Sequence, residues 1–344
     1  IASCLVGSEM CIRDRVRGGD AVRRIPTRTG SSLMLSYILR RLGAGIVLAI
    51  LVTLITFLLL STSFDDVAQS ILGTGATPDV VAGLIEQKGW DRPVLVQYFD
   101  WLIHAVQGDF GVSVYTSLPV GPTVLQRLAV TLSIIVPALI LTVIISVVLG
   151  VWSASRGGIV DRIAQGISLI GYIVPGLLLA IVLVVVFAVQ LKWLPATGFT
   201  PFAEDPAAWV RSITIPVIVL TIGGVANMAA QVRGRMIDEL RRDYIRTLRT
   251  RGSSTTSIVI KHALRNAASP ALTVMSLEFI QMFGGALIIE NVFALPGYGS
   301  FAFNASLQGD IPVIMGITAF GVLLVTVVNP VSYTHLTLPT KRIV

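Results

Sequence analysis

Hydrophobic residues fall in long, nearly uninterrupted runs separated by short polar stretches, instead of recurring at the period of an amphipathic helix or strand. Six runs have the roughly 20-residue length that crosses a hydrocarbon core as helix. They are 42–62, 129–152, 163–189, 215–232, 271–289 and 311–329. A buried soluble helix could account for one such run, but six of them divided by polar loops predict a multi-pass membrane protein. Pro137, Pro175 and the Gly223-Gly224 pair lie inside runs. Such breakers are tolerated in membranes where neighbouring helices satisfy the freed backbone groups, so they point to packed or bent helices.

Both ends are set apart from this pattern. The stretch from Cys4 to Arg15 back-translates into a string resembling a transposase-type sequencing adaptor, and 331–340 resembles the reverse complement of the companion adaptor. Residues 1–33 and 330–344 are therefore expected to be an assembly scar with a non-native leader and a second scar, and no fold is read from them. Met34 opens the expected native segment, and both cysteines, Cys4 and Cys11, fall outside it. Within 34–330 the Lys and Arg count drops from 26 to 18 and the Asp and Glu count from 19 to 16, so the net charge falls from +7 to +2. A nucleic-acid function inferred from the basic balance loses its footing. The 54% apolar and 13% charged composition lies well outside soluble usage.

The remaining charge is segregated. Nine cations, Arg233, Arg235, Arg241, Arg242, Arg246, Arg249, Arg251, Lys261 and Arg265, share the fourth connection with Asp238, Glu239 and Asp243. Arg40, Arg41, Arg156 and Arg162 lie on the same expected side, whereas the first connection, 63–128, carries three cations against seven acids. Because Lys and Arg are retained in the cytoplasm, both termini are expected inside and residues 63–128 outside, in a glycine- and proline-punctuated loop. The expected divisions are 34–62 for the first span, 63–128 for the outer loop, and 129–329 for a five-helix core with a cytoplasmic loop over 233–270. No internal repeat suggests an inverted-repeat transporter.

The fourth connection reads as a basic helical hairpin broken at Gly252, where glycine enters the left-handed conformation without penalty and Ser253, Ser254 or Thr255 can cap the next helix. An ordinary solvated turn would have the same spacing. The residues Arg246-Thr247-Leu248, Gly252, and His262-Ala-Leu-Arg-Asn266, however, resemble the ATPase-docking loop of dipeptide and oligopeptide permeases of binding-protein-dependent ABC importers. Two further stretches resemble that family. One is 89–120, with Gly89-Trp-Asp-Arg-Pro93, Gln97-Tyr98, Trp101-Leu102, Gly108-Asp-Phe-Gly-Val-Ser113 and Pro119-Val120. The other is Glu290-Asn-Val-Phe-Ala-Leu-Pro-Gly-Tyr-Gly299.

The resemblance implies an all-α membrane protein with six transmembrane helices in the type I ABC-importer permease, MetI-like, fold. It implies a bacterial or archaeal cytoplasmic membrane, a second homologous permease, two ABC ATPases and an extracytoplasmic solute-binding protein. The solute would be a peptide or similar small molecule, moved by alternating access; nickel-complex, glutathione and sugar-oligomer importers share the scaffold. ATP would be used by the partner subunits. No Gly-x-x-x-x-Gly-Lys-Ser/Thr loop is present, so the chain has no P-loop of its own and binds no cofactor in this reading. The docking residues implied are Tyr244, Arg246, Thr247, Leu248, Arg249, Gly252, His262, Leu264 and Asn266.

Asn227 and Gln231, one helical turn apart, and Glu278 and Gln281 are polar residues within spans and candidate path-lining groups. They can equally bond helix to helix. An ionised carboxylate at Glu278 would cost roughly 2.5 to 3.5 kcal/mol on insertion scales unless paired or wetted. Glu290, Pro296, Gly297 and Gly299 are candidates for the outer mouth, with the glycines as scaffold and Glu290 as a gate or partner contact. The rival function, a self-sufficient secondary transporter or channel, is disfavoured by the single ionisable residue mid-span. A membrane enzyme is disfavoured because His104 and His262 lie in loops on opposite sides.

Overall fold

The computed structural model describes residues 30–73 and 75–337; the chain ends assigned above to adaptor sequence, and both cysteines, fall outside these or at their margin. The chain divides into residues 1–40 and 41–344. Of the first unit only the opening turns of α1 (Gly30–Ser61) are described. The second holds the rest of α1 and all that follows.

Among the described residues every named element is helical, and the sole strand-like pairing is an isolated bridge between Val112 and Pro119. Four helices are long and apolar enough to cross a membrane: Leu39–Ser61 within α1, α5 (Val120–Arg156), α8 (Pro206–Leu240) and the 311–328 part of α13 (Ile311–Thr337). The polar boundaries carry the expected signals. Asp205 caps α8, its carboxylate accepting from the Ala207 and Ala208 amides at 2.8 and 3.0 Å, with Pro206 at the first helical position.

The run 163–189, expected as one span, is instead two helices, α6 (Gly158–Ile173) and α7 (Gly176–Leu183, continuing as a π-helical turn over Val184–Gln190), bent by 94°. Proline is the cause. It has no N–H to offer the turn before it and drives the preceding residue out of the helical region; Val174 accordingly stands at φ −70°, ψ 117°. Counted as one broken span, the pair is a fifth crossing. The remaining expected run, 271–289, lies inside α11 (Leu264–Val292), a continuous helix of 29 residues whose described part carries Ser276, Glu278, Gln281, Glu290 and Asn291.

Residues 63–128, expected as a punctuated loop, contain three short helices: α2 (Phe64–Leu72), α3 (Pro78–Lys88) and α4 (Val94–Val106). Helices this short are marginal alone and depend on tertiary packing. Here Phe64, Val67 and Tyr98 pack with Phe57 of α1 and Ile311 and Met315 of α13. The fold is completed by α9 (Asp243–Thr250), α10 (Thr255–Ser257), a π-helical turn over Ile258–Ala263 leading into α11, and α12 (Tyr298–Gln308).

The central core joins α5, α8 and α11 through residues such as Ile134, Ile135, Ile215, Val219, Phe279 and Met282. Small residues set how closely these helices approach. A Cβ on Gly224 would lie 2.7 Å from Met282, 2.9 Å from Glu278 and 2.9 Å from Thr142, and one on Gly150 would lie 2.7 Å from Val232. Gly224 is thus a three-helix contact, whereas Gly223 is exposed.

Candidate functional site

The hairpin between α8 and α11 is a packed unit, not a solvated turn. Met236, Ile245, Ile258, Val259 and Ala263 are buried together. Glu239, near the end of α8, is buried and accepts from the Tyr244 hydroxyl at 2.7 Å and the Asn266 amide at 3.1 Å, and pairs with Arg242 at 3.0 Å. One carboxylate therefore ties α8, α9 and α11 together. Burial, helped by Glu239, pushes the Tyr244 phenol above its ordinary pKa, so at neutral pH it stays a donor. Gly252 stands at φ 77°, the left-handed conformation expected of it, and Ser254 caps the next turn by accepting from the Ser257 amide at 3.3 Å.

This geometry divides the residues expected to dock an ATPase. Tyr244, Leu248 and Leu264 pack inward, and Asn266, although at the surface, is held by Glu239 and Tyr244. His262 is half-buried; Arg246, Thr247, Arg249 and Gly252 are exposed. Arg246 meets Asp243 at 3.6 Å with both side chains in solvent, a pair worth little. Two features of the hairpin were not singled out from sequence. Glu239 had counted only as a counter-charge, although its place five residues before Tyr244 was a signal. Ile260, 57% exposed, is an apolar side chain in a basic surface, legible only once its neighbours were seen to be buried.

Further along α8 and α11 the polar candidates meet. The Asn227 amide donates to Glu278 at 2.9 Å and lies 3.4 Å from the Gln281 carbonyl oxygen, while Gln231 donates to Asn227 at 3.3 Å. Glu278 is buried between the helices and Gln231 and Gln281 are exposed. Asn227 and Gln231 line a cavity of about 650 Å³ between α5, α6 and α8, with Ser153, Gln165, Tyr172 and Arg233. Of the two roles left open for Glu278, helix-to-helix bonding is the one its placement matches. At the end of this cavity Arg233 makes a two-pronged contact with Asp161 at 2.5 and 2.6 Å, and Asp161 also accepts from Ser153 and, at 2.9 Å, from Gln165. Such fork geometry is specific to arginine and carboxylate. Arg233 had been read only as a topology charge and Asp161 passed over, because their partnership spans 72 residues.

At the opposite end, the reading of Glu290 as a gate or partner contact is overturned. Its side chain is wholly buried, accepting from the Thr131 hydroxyl and from the Ser300 amide at 2.8 Å. Thr131 in turn accepts from the Tyr298 amide at 2.8 Å. The carboxylate caps the start of α12 and joins it to α5, satisfying amides that helix starts leave open. The scaffold role of the glycines follows from the same packing. A Cβ on Gly297 would fall 2.2 to 2.4 Å from the Glu290 carboxyl group and one on Gly299 2.7 Å from the Leu287 Cα. Of the four candidates here only Pro296 is exposed; its carbonyl accepts from Arg127 at 3.2 Å.

Comparison with known proteins places these features in a group. Residues 146–343 match the family described as binding-protein-dependent transport system inner membrane component, and residues 34–135 match the corresponding N-terminal membrane component. The chain is 38% identical over 282 residues to the probable peptide ABC transporter permease protein y4tP of Sinorhizobium fredii, covering 82% of this chain and 90% of that protein. It is 32% identical to the oligopeptide transport system permease protein AppB of Bacillus subtilis, covering 87% and 96%. It is 33% identical to the glutathione transport system permease protein GsiC of Salmonella choleraesuis, covering 82% and 90%. Among solved structures, an inward-facing MetNI methionine ABC transporter aligns with a TM-score of 0.52 at 17% identity, over 62% of this chain and 94% of that one. The likeness to MetNI concerns the fold.

Proposed function

We propose, on the premise that this chain belongs to the family of binding-protein-dependent transport system inner membrane components and is a permease subunit of an ABC importer, that its solutes are peptides. The relatives named for peptide, oligopeptide and glutathione transport support that class. In this reading the 233–270 hairpin faces the cytoplasm and seats in an ATPase, a second permease completes the membrane pathway in a six-span arrangement, and a loaded binding protein docks at the end marked by Pro296. ATP is bound and split by the partner subunits.

The observation that carries the mechanism is the Glu239–Tyr244–Asn266 junction. It fixes the hairpin to both α8 and α11, so displacement of the hairpin by a closing ATPase pair turns the two helices that hold Asn227, Glu278 and Gln281. Movement of packed helices as rigid bodies is how small displacements reach distant sites. Alternating access follows when that turn opens the bundle first at one end and then at the other.

The test is uptake of labelled di-, tri- and pentapeptides into vesicles holding this chain with its second permease, ATPases and binding protein. Uptake should require internal ATP and the binding protein. Peptide uptake driven by an ion gradient with the ATPases absent would instead establish the self-sufficient transporter.

A further inference from the structure

The helix α4, 13 residues long, extends about 20 Å, too short for a hydrocarbon core of about 30 Å. At about 100° per residue its side chains fall into three sectors. Gln97, Tyr98, Trp101 and Ala105 face the protein: Gln97 and Tyr98 are buried and Trp101 packs with Tyr98. Leu95, Val96, Phe99, Ile103 and Val106 form a second sector roughly 100° wide, with Phe99 54%, Ile103 56% and Val106 81% exposed. Asp100, His104 and Gln107 form the third, where Asp100 pairs with half-exposed Arg92 at 2.7 Å.

The attachment of α4 sets its depth. The Tyr98 hydroxyl donates to the Ile50 carbonyl at 2.9 Å and lies 3.0 Å from the Thr53 hydroxyl. Ile50 precedes Ser61, the last residue of α1, by three turns, or about 16 Å of helix. Tyr98 therefore reaches well below the end of a membrane-crossing helix. On α1 itself, Leu51, Ile55, Leu58 and Leu59 are exposed between Ile50 and Ser61, so apolar surface that a bilayer would cover is present at the level where α4 is attached.

We infer that α4 is embedded in the leaflet at the Ser61 end of α1, its Leu95–Phe99–Ile103–Val106 sector against lipid acyl chains and its Asp100–His104–Gln107 sector toward the headgroups. A helix lying in the plane of the interface requires this separation of an apolar and a polar stripe. The occupant of the apolar sector is lipid rather than a second protein, because the polar stripe flanks it along one edge only, where headgroups and water would begin, and exposed apolar residues of α1 lie at the level of its attachment.

The experiment uses the full chain purified with its co-expressed partner subunits, Cys4 and Cys11 replaced by serine, and single cysteines at Phe99, Ile103 or His104 labelled with a small fluorophore. Each is reconstituted in phosphatidylcholine–phosphatidylglycerol vesicles with plain or dibrominated acyl chains. Brominated chains should reduce emission from positions 99 and 103 at least two-fold while aqueous iodide leaves it unchanged, and position 104 should show the reverse. Quenching of 99 and 103 by iodide would place the sector in water. Protection from both quenchers would place it under a partner subunit; either result overturns the inference. A label-free check on the unmodified chain uses a lipid bearing a diazirine in its acyl chain: photolysis should leave adducts within 94–106, and their absence there, with adducts present on α1, refutes the inference. Neither readout depends on the solute, so failure here is separate from failure of the peptide reading.

Discussion

Gly297→Ala isolates one claim, that a glycine is required where the buried Glu290 carboxylate meets the start of α12. The backbone at Gly297, φ −91° and ψ −178°, is one that any residue adopts, so alanine adds only a methyl group. That methyl would lie 2.2 Å from the Glu290 Cδ and 2.3 and 2.4 Å from its oxygens, against the roughly 3.5 Å of favourable contact. About 1 Å of displacement is needed, and Glu290, 0% exposed, can make it only by leaving the partners that hold its carboxylate. Moving it sacrifices the bonds from Thr131 and Ser300. At about 1–3 kcal/mol for each buried group left unpaired, the expected loss is about 2–6 kcal/mol. In a Glu290→Ala background the space is empty, and the same methyl should cost less than about 1 kcal/mol. Denaturant unfolding of the purified chain in detergent, for parent, both single variants and the double variant, measures the coupling, expected above about 1 kcal/mol. Additive losses, or a Gly297→Ala protein as stable as its parent, would refute the reasoning.

Gly252→Val places a β-branched residue at φ 77°, a strain of about 1–3 kcal/mol; the protein should still reach the membrane while co-purification of the ATPase and peptide uptake fall, and full uptake would remove the hairpin from coupling. Glu239→Ala leaves Tyr244 and Asn266 without their common acceptor and should lower binding-protein-stimulated ATP hydrolysis several-fold, whereas Glu239→Gln, which keeps an acceptor, should retain most of it. Glu278→Gln preserves an acceptor for Asn227 and should transport nearly as the parent does, while Glu278→Leu should lose about 1–3 kcal/mol in unfolding; a selective loss of uptake for peptides with a free amino group in Glu278→Gln would return that carboxylate to the pathway. Single cysteines at exposed Ser117 and Asn304 should react with an impermeant thiol reagent added outside, and one at exposed Thr255 only after the membrane is opened.

The long apolar runs and the cation-rich fourth connection were legible because the bilayer imposes its requirements on composition directly: length, apolarity and charge act one residue at a time. Gly252 was legible for a related reason, since a left-handed turn is a local demand of the backbone. Glu290 was misread because a carboxylate after an apolar run looks the same in sequence whether it meets water or a helix start ten residues later. The difference is made by Thr131, 159 positions away. Pro175 was seen, but a proline states only that a helical bond is lost; how far the chain then turns is settled by what the two halves pack against.

Sequence alone, then, determined that this is an all-helical membrane permease with a basic, glycine-broken hairpin, because each of those features is set by local composition, spacing or a motif confined to a few residues. Only the tertiary structure decided which polar groups face inward. The joining of Glu239 to Tyr244 and Asn266, of Asp161 to Arg233, of Asn227 to Glu278 and of Glu290 to Thr131 and Ser300 is a property of helix approach. A buried polar group takes whatever partner the packing brings within about 3 Å, and that partner is written nowhere near it in the chain.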